Sequence, residues 1–158
     1  MTDISKLPAL QEAVAQATAH GLSFMGSVPP RQAWQMVQQG LALLVDVRTA
    51  EERKFVGHVP GSAHVPWATG TALARNPRFV RELTALLARQ AAADGSAPIA
   101  LLLCRSGKRS TLAAQEAAKA GLTHVFNVSE GFEGELDAAQ HRGGGDGWRF
   151  QGLPWVQD

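Results

Sequence analysis

A chain of 158 residues with 45% hydrophobic and 18% charged residues is typical of one folded domain with its own core, not of a disordered segment. The formal net charge of +1, without a long basic run, argues against nucleic acid as a partner. The apolar runs are too short to cross a bilayer, and no secretory signal is visible at the N-terminus. We therefore expect one globular domain that binds neither nucleic acid nor membrane.

The first half of the chain predicts helices that alternate with short apolar runs. Apolar residues spaced like Leu7, Leu10 and Val14 lie on one face of a helix that Gly21 ends, and Thr49 can cap another helix. The predicted elements are a helix over 5–20, a helix that opens at 29–30 and ends at 40, a buried strand over 41–47, a short helix over 51–55 and a brief strand over 63–65.

The second half repeats this alternation and adds a loop-rich tail. The predicted elements are a helix over 77–92, a strand over 99–103, a helix over 108–120, a strand over 124–128 and an irregular segment from 131 onward. Strands that alternate with helices predict a three-layer α/β domain with a mainly parallel central sheet flanked by helices. Active sites in such domains lie at the carboxyl ends of the strands, and Cys104 directly follows the strand over 99–103.

Cys104 is the only cysteine of the chain and opens a turn that carries three cations. A free cysteine is mostly protonated at neutral pH, so a sulfur nucleophile needs groups that stabilise its anion. The start of a helix offers unpaired N–H groups, and Gly107 allows a tight turn of backbone amides. Arg105, Lys108 and Arg109 add positive charge. These features favour a nucleophile that meets an anionic substrate over the alternative, an inert buried thiol.

A lone thiol also bears on the compartment of the protein. One cysteine cannot form an internal disulfide, which fits a reducing compartment, and we expect a cytoplasmic protein.

Charged and histidine residues near the first apolar strand predict structural roles. Asp46 and Arg48 lie at a strand end, where an ion pair or backbone hydrogen bonds can fix the neighbouring loop, and Glu52 is expected to be a helix-start carboxylate. His58 and His64 lie six residues apart in a turn rich in Gly and Pro, which is not a recognised metal-ligand spacing. We expect hydrogen-bonded structural histidines and no bound metal.

Several short strings of the sequence resemble one family when they are taken in order. They are DVR at 46–48, EE at 51–52, GHVPGS at 57–62, HVP at 64–66, CRSGKRS at 104–110, GFEG at 131–134 and GLPW at 152–155. Each string alone is weak, but their order and spacing are specific. The chain resembles a single-domain rhodanese, a thiosulfate:acceptor sulfurtransferase. The resemblance implies a rhodanese-like domain over 27–158, preceded by an N-terminal helical extension over 1–26.

The resemblance also implies a mechanism. Cys104 attacks the outer sulfur of a donor such as thiosulfate and becomes a persulfide, and a thiol or cyanide acceptor then removes the sulfur. The donor and the persulfide are held by the loop that follows the cysteine. Its expected binding residues are Arg105, Ser106, Gly107, Lys108 and Arg109. No metal or organic cofactor is required.

Other functions stay open at this point. The protein can be a persulfide carrier that serves a dedicated sulfur-relay partner. A phosphatase or an arsenate reductase on the same fold places an arginine six positions after the cysteine, whereas here Ser110 is at that position and Arg109 is at the fifth. A non-catalytic binding module is disfavoured because the cysteine loop is intact.

Overall fold

The computed structural model describes residues 7–93, 95 and 98–158. Its helices are α1 (Pro8–Ala19), α2 (Pro30–Gln38), α3 (Ala50–Phe55), α4 (Phe79–Arg89) and α5 (Lys108–Lys119). Its strands are β1 (Ser27–Val28), β2 (Ala42–Asp46), β3 (Ala63–His64), β4 (Ala68–Thr69), β5 (Ala74–Arg75), β6 (Ile99–Leu103) and β7 (Val125–Val128). The predicted helices and strands are confirmed, with ends shifted by up to three residues, and the predicted helix start at residues 5 and 6 lies outside the described residues.

Five strands form one sheet in the order β1-β7-β6-β2-β3, and every neighbouring pair is parallel. In the register of β2 and β6, Asp46 lies opposite Leu103, so these two strands end together. The segments that follow them therefore meet at the same edge of the sheet, where α/β domains build their sites.

Alternate residues of β6 point to opposite faces of the sheet, and all five are buried. Leu101 and Leu103 pack in a cluster with residues of α1 and α2, and Leu102 packs in a second cluster with residues of α4 and α5. Helices thus cover both faces, and the α/β fold with a parallel sheet flanked by helices is confirmed.

Helix α1 packs on the sheet. Leu10 and Ala13 are buried in the same cluster as Val28 and Phe126. The helix therefore shares a core with the strands that it precedes, while the proposed domain boundary at residue 26 stays a prediction.

The sequence did not predict the antiparallel pair of β4 and β5, nor the two-residue strand β1. Two-residue strands are too short for an alternating pattern to show. The turn between β4 and β5 includes Leu73, whose φ of +55° lies in the left-handed region. No helix within the described ranges is long and apolar enough to cross a membrane.

Candidate active site

The loop after β6 forms a tight turn around the cysteine sulfur. Cys104 follows Leu103 directly, and α5 begins four residues later at Lys108, with Gly107 as its N-terminal flanking residue. Gly107 has a φ of +100°, which a side chain would strain. This conformation lets the Gly107 amide donate a hydrogen bond to Cys104 Sγ at 3.0 Å.

Cys104 is one of the residues that line an open cavity of about 850 Å³. Cys104 itself is only 1% exposed, so a reactant must enter the cavity to meet it. The lining includes all five of the predicted binding residues, Arg105, Ser106, Gly107, Lys108 and Arg109. The geometry brings the predicted set together with the sulfur around one cavity.

A second hydrogen-bond donor to the sulfur was missed by the sequence analysis. Ser110, in the first turn of α5, places its Oγ 3.1 Å from Cys104 Sγ and 2.5 Å from Oδ1 of Asn127 on β7. Both residues are buried. The sequence carries a signal for this contact, because a serine in the first helical turn after a nucleophile can reach back to it.

The segment after β7 supports the cysteine loop from behind. The Phe132 amide donates to the Cys104 carbonyl at 2.7 Å, and the Glu133 amide donates to the Arg105 carbonyl at 2.9 Å. A Cβ at Gly131 would lie 2.4 Å from the Arg105 carbonyl atoms, so only glycine allows this approach. Because the first two loop carbonyls are bonded on this side, the loop is held in one conformation.

The three cations of the loop have different surroundings. Among the described residues neither Arg105 nor Lys108 forms an ion pair, and both line the cavity. Arg109 also lines the cavity, but its two terminal nitrogens donate to Glu52 of α3 at 2.7 and 2.9 Å. Its charge is therefore largely balanced, and Arg105 and Lys108 offer a free cationic charge to an incoming anion.

The Glu52–Arg109 pair is strong enough to shift both pKa values. Burial raises the pKa of Glu52, but the hydrogen bonds and charge of Arg109, with a hydrogen bond from the Thr49 amide, hold it below the ordinary 4.5. Burial lowers the pKa of Arg109, whereas the hydrogen bond and charge of Glu52 and the charge of Cys104 raise it, and the net shift is upward. Both groups are ionised at neutral pH.

The end of β2 carries a closed charge cluster. Asp46 accepts from Arg48 at 2.8 Å and from Arg53 at 2.9 Å, and Asp46 and Arg48 are fully buried. The predicted ion pair is therefore confirmed.

The two histidines of the following turn bond to backbone. A ring nitrogen of His64 lies 2.7 Å from the Arg48 carbonyl, and a ring nitrogen of His58 lies 3.4 Å from the Arg53 carbonyl. Within the described ranges, no three His, Cys, Asp or Glu residues are grouped as metal ligands.

Comparisons with known proteins show the family to which this chain belongs. The sequence profile of the rhodanese-like domain matches residues 29–137. The crystal structure of Rv0390 from M. tuberculosis is 42% identical, with a TM-score of 0.69 over 84% of this chain and 97% of that chain. The uncharacterized protein RP600 of Rickettsia prowazekii is 34% identical over 114 residues, which cover 72% of this chain and 82% of that protein.

A more distant similarity shows the fold alone. The polysulfide-sulfur transferase homodimer from Wolinella succinogenes has a solution structure that is 21% identical, with a TM-score of 0.52 over 91% of this chain and 86% of that chain.

Proposed function

Because the chain belongs to the rhodanese-like domain family, we propose that it is a sulfurtransferase that carries a sulfane sulfur as a persulfide on Cys104. One observation carries the proposal. Cys104 lies in a cavity that is also lined by Arg105 and Lys108, which form no ion pair within the described residues, and its Sγ accepts hydrogen bonds from the Gly107 amide and the Ser110 hydroxyl. Both donors stabilise a sulfur anion, which is the form that attacks.

In the first proposed step the Cys104 thiolate attacks the outer sulfur of thiosulfate. A bond forms between the two sulfurs, the sulfur–sulfur bond of thiosulfate breaks, and sulfite leaves with the electron pair. Arg105 and Lys108 attract the dianionic donor to the cavity. Because Cys104 is nearly buried, a donor with a small, unhindered terminal sulfur is favoured.

In the second proposed step an acceptor attacks the outer sulfur of the persulfide. The acceptor is cyanide or the thiolate form of a thiol, and Cys104 departs as a thiolate. The amides of the loop from Arg105 to Arg109 are proposed to hold the outer sulfur between the two steps. The attacking and departing groups are both anions, so neither step needs a general base, a metal or an organic cofactor. A reducing compartment such as the cytoplasm is the proposed location, because it keeps a lone thiol reduced.

A turnover assay tests the proposal. Thiosulfate and cyanide should give thiocyanate with wild-type protein and none with Cys104→Ser. Turnover of an aryl phosphate without thiocyanate formation is the result expected of a phosphatase. A Cys104→Ser variant that matched the wild type would end the proposal.

A second candidate function, delivery of the persulfide to a partner protein, is favoured by the mouth of the cavity. Three leucines from three separate segments line it, and each is exposed by roughly half. They are Leu73 (44%), Leu112 (50%) and Leu136 (53%). Single exposed leucines are common on protein surfaces, but an apolar rim contributes nothing to the binding of inorganic donors and acceptors.

Leu73 adds weight to this second candidate because its backbone is strained. A non-glycine residue at a φ of +55° costs about 1 kcal/mol, and such strain concentrates at functional sites. A leucine at a position suited to glycine supports a role for its side chain. The proposed partner presents a cysteine among apolar and acidic residues that match the leucines and the free cations.

Two cysteine peptides distinguish this function from small-molecule turnover. One has flanking Leu and Asp residues, and the other has flanking Ser and Lys. Leu73→Gly should slow discharge to the first peptide while leaving discharge to cyanide unchanged, and it should not lower the melting temperature, because glycine relieves the strain. Equal discharge to both peptides would exclude a role for the rim.

A further inference from the structure

The Ser110 hydroxyl has one proton and two acceptors within reach. Its Oγ lies 3.1 Å from Cys104 Sγ and 2.5 Å from Asn127 Oδ1. Ser110 is fully buried and Asn127 is 4% exposed. The proton can therefore satisfy only one of the two acceptors at a time.

The orientation of Asn127 makes it a true competitor for this proton. Its Nδ2 donates to Ser27 Oγ of β1 at 3.0 Å. In this orientation the oxygen of the carboxamide, and not its nitrogen, faces Ser110. This leaves the Ser110 hydroxyl with one acceptor on β7 and a second acceptor on the nucleophile.

We propose that Ser110 is a catalytic residue that turns its proton from Asn127 to Cys104 Sγ when the persulfide is discharged, and so stabilises the departing thiolate. This inference rests on the proposed sulfur transfer. Asn127 is the positioning residue that accepts the hydrogen bond of Ser110 while Cys104 Sγ is the neutral inner sulfur of the persulfide. The amide of Gly107 is the fixed donor to the same sulfur.

Cys104 Sγ is neutral in the persulfide and becomes an anion during discharge, so a mobile hydrogen-bond donor stabilises the second state more than the first. In the persulfide the negative charge lies on the outer sulfur, and Sγ is a neutral atom that accepts hydrogen bonds weakly. During discharge the acceptor bonds to the outer sulfur, the bond from that sulfur to Sγ breaks, and its electron pair goes to Sγ. The hydroxyl then rotates toward the new anion, and no proton is transferred.

Loss of the hydroxyl should affect the two half-reactions unequally. In persulfide formation, the thiolate becomes scarcer but also more nucleophilic, and these two effects oppose each other. In discharge the only effect is a less stable leaving group. Hydrogen bonds to charged groups are among the stronger ones in proteins, so we expect discharge to slow about tenfold in Ser110→Ala and formation to change by less than about threefold.

Single-turnover measurements of the two half-reactions test this. Discharge of the preformed persulfide to cyanide should be slow in Ser110→Ala and restored in Ser110→Thr, which keeps the hydroxyl. Asn127→Ala removes the competing acceptor from the persulfide state, so its discharge should be faster than that of wild type. A purely structural role for this pair would slow both variants alike. Discharge at the wild-type rate in Ser110→Ala, or slowing of the same size in Asn127→Ala, would overturn the proposal.

Alkylation by iodoacetamide gives a readout that does not depend on sulfur transfer. Its pH midpoint should rise in Ser110→Ala, because the thiolate loses a donor. The charged groups around the cavity stay the same in both proteins, and they are Arg105, Lys108, Arg109, Glu130, Glu135 and Arg142. If the wild type forms no persulfide, the proposed function fails, and this midpoint alone decides whether Ser110 holds the thiolate. An unchanged midpoint would then count against Ser110.

Discussion

The loops of two neighbouring strand–loop–helix units lie at the same edge of the sheet. We call one unit closed, because its side chains bond to one another, and the other open, because its loop lines the cavity. The first unit runs from β2 into α3, and the second runs from β6 into α5. In the closed unit, Thr49 and Glu52 bond each other's backbone amides and cap the start of α3. In the open unit, α5 begins after Gly107, which has no side chain to cap the helix, and the Gly107 amide donates to the nucleophilic sulfur instead.

The same contrast holds for the charges of the two units. In the closed unit, Asp46 is bonded to Arg48 and Arg53. In the open unit, Arg105 and Lys108 have no carboxylate partner among the described residues. The same strand–loop–helix plan thus yields a structural anchor where side chains of the helix start accept from its amides, and a candidate reactive site where the cysteine sulfur accepts instead.

The largest effect is expected in the closed unit. Asp46→Ala leaves a fully buried Arg48 without its carboxylate, which should cost about 3–5 kcal/mol of unfolding free energy. Urea denaturation measures this loss. Glu116→Ala removes an exposed carboxylate from its pair with Lys119 and is the control, with a change of at most about 1 kcal/mol. Equal losses in the two variants would break the contrast between buried and exposed pairs.

The next largest effect is expected at Gly131, in the segment after β7 that packs against the cysteine loop. Gly131→Ala would drive a Cβ into the Arg105 backbone, and displacement of the loop by about an ångström should lower sulfur transfer roughly 100-fold. Gly121→Ala is the matched control, because Gly121 also has a positive φ but has no atom within 4 Å of the added Cβ. The control should lose stability and keep its activity per folded molecule. Wild-type turnover in Gly131→Ala would show that the close approach is dispensable.

A smaller effect separates the free cations from the paired one. Arg105→Ala should raise the KM for thiosulfate about fivefold at low salt, since a charge in contact with solvent contributes about 1 kcal/mol, and the effect should shrink as salt is added. Removal of the balanced pair as a whole, by Arg109→Ala together with Glu52→Gln, should change KM less, because the net charge beside the cavity stays the same. Steady-state kinetics at two salt concentrations decide this. A larger KM change in this double variant than in Arg105→Ala would mean that the pair with Glu52 opens when the donor binds.

The smallest effect concerns the ion pair of Glu52 and Arg109, which joins the two units. The pKa of Glu52 is lower in the folded chain than its ordinary 4.5, so its stabilisation is fully present above that value and is lost as the pH falls through the folded pKa. Wild type should therefore be more stable than Glu52→Gln at neutral pH, and the difference should vanish in acid. Denaturation curves across this range measure the difference. A difference that stays constant down to low pH would show that the carboxylate charge is not responsible.

The local features of both units could be predicted from the sequence. The strand over Ile99–Leu103 was bounded correctly because its apolar run is uninterrupted, and the capping role of the residues at 49 and 52 follows from their spacing. The contacts of Ser110 with Asn127, and of Arg109 with Glu52, could not be predicted. They join residues 17 and 57 positions apart, and such contacts depend on how the elements pack, which no local pattern encodes.

The most direct test of the account is the intact mass of the protein after treatment with thiosulfate and removal of the excess. The wild-type protein should gain the mass of one sulfur atom, cyanide should remove that mass, and Cys104→Ser should gain nothing. No added sulfur on the wild type with any sulfane donor, or the same addition on Cys104→Ser, would contradict the assignment of Cys104 as the sulfur carrier.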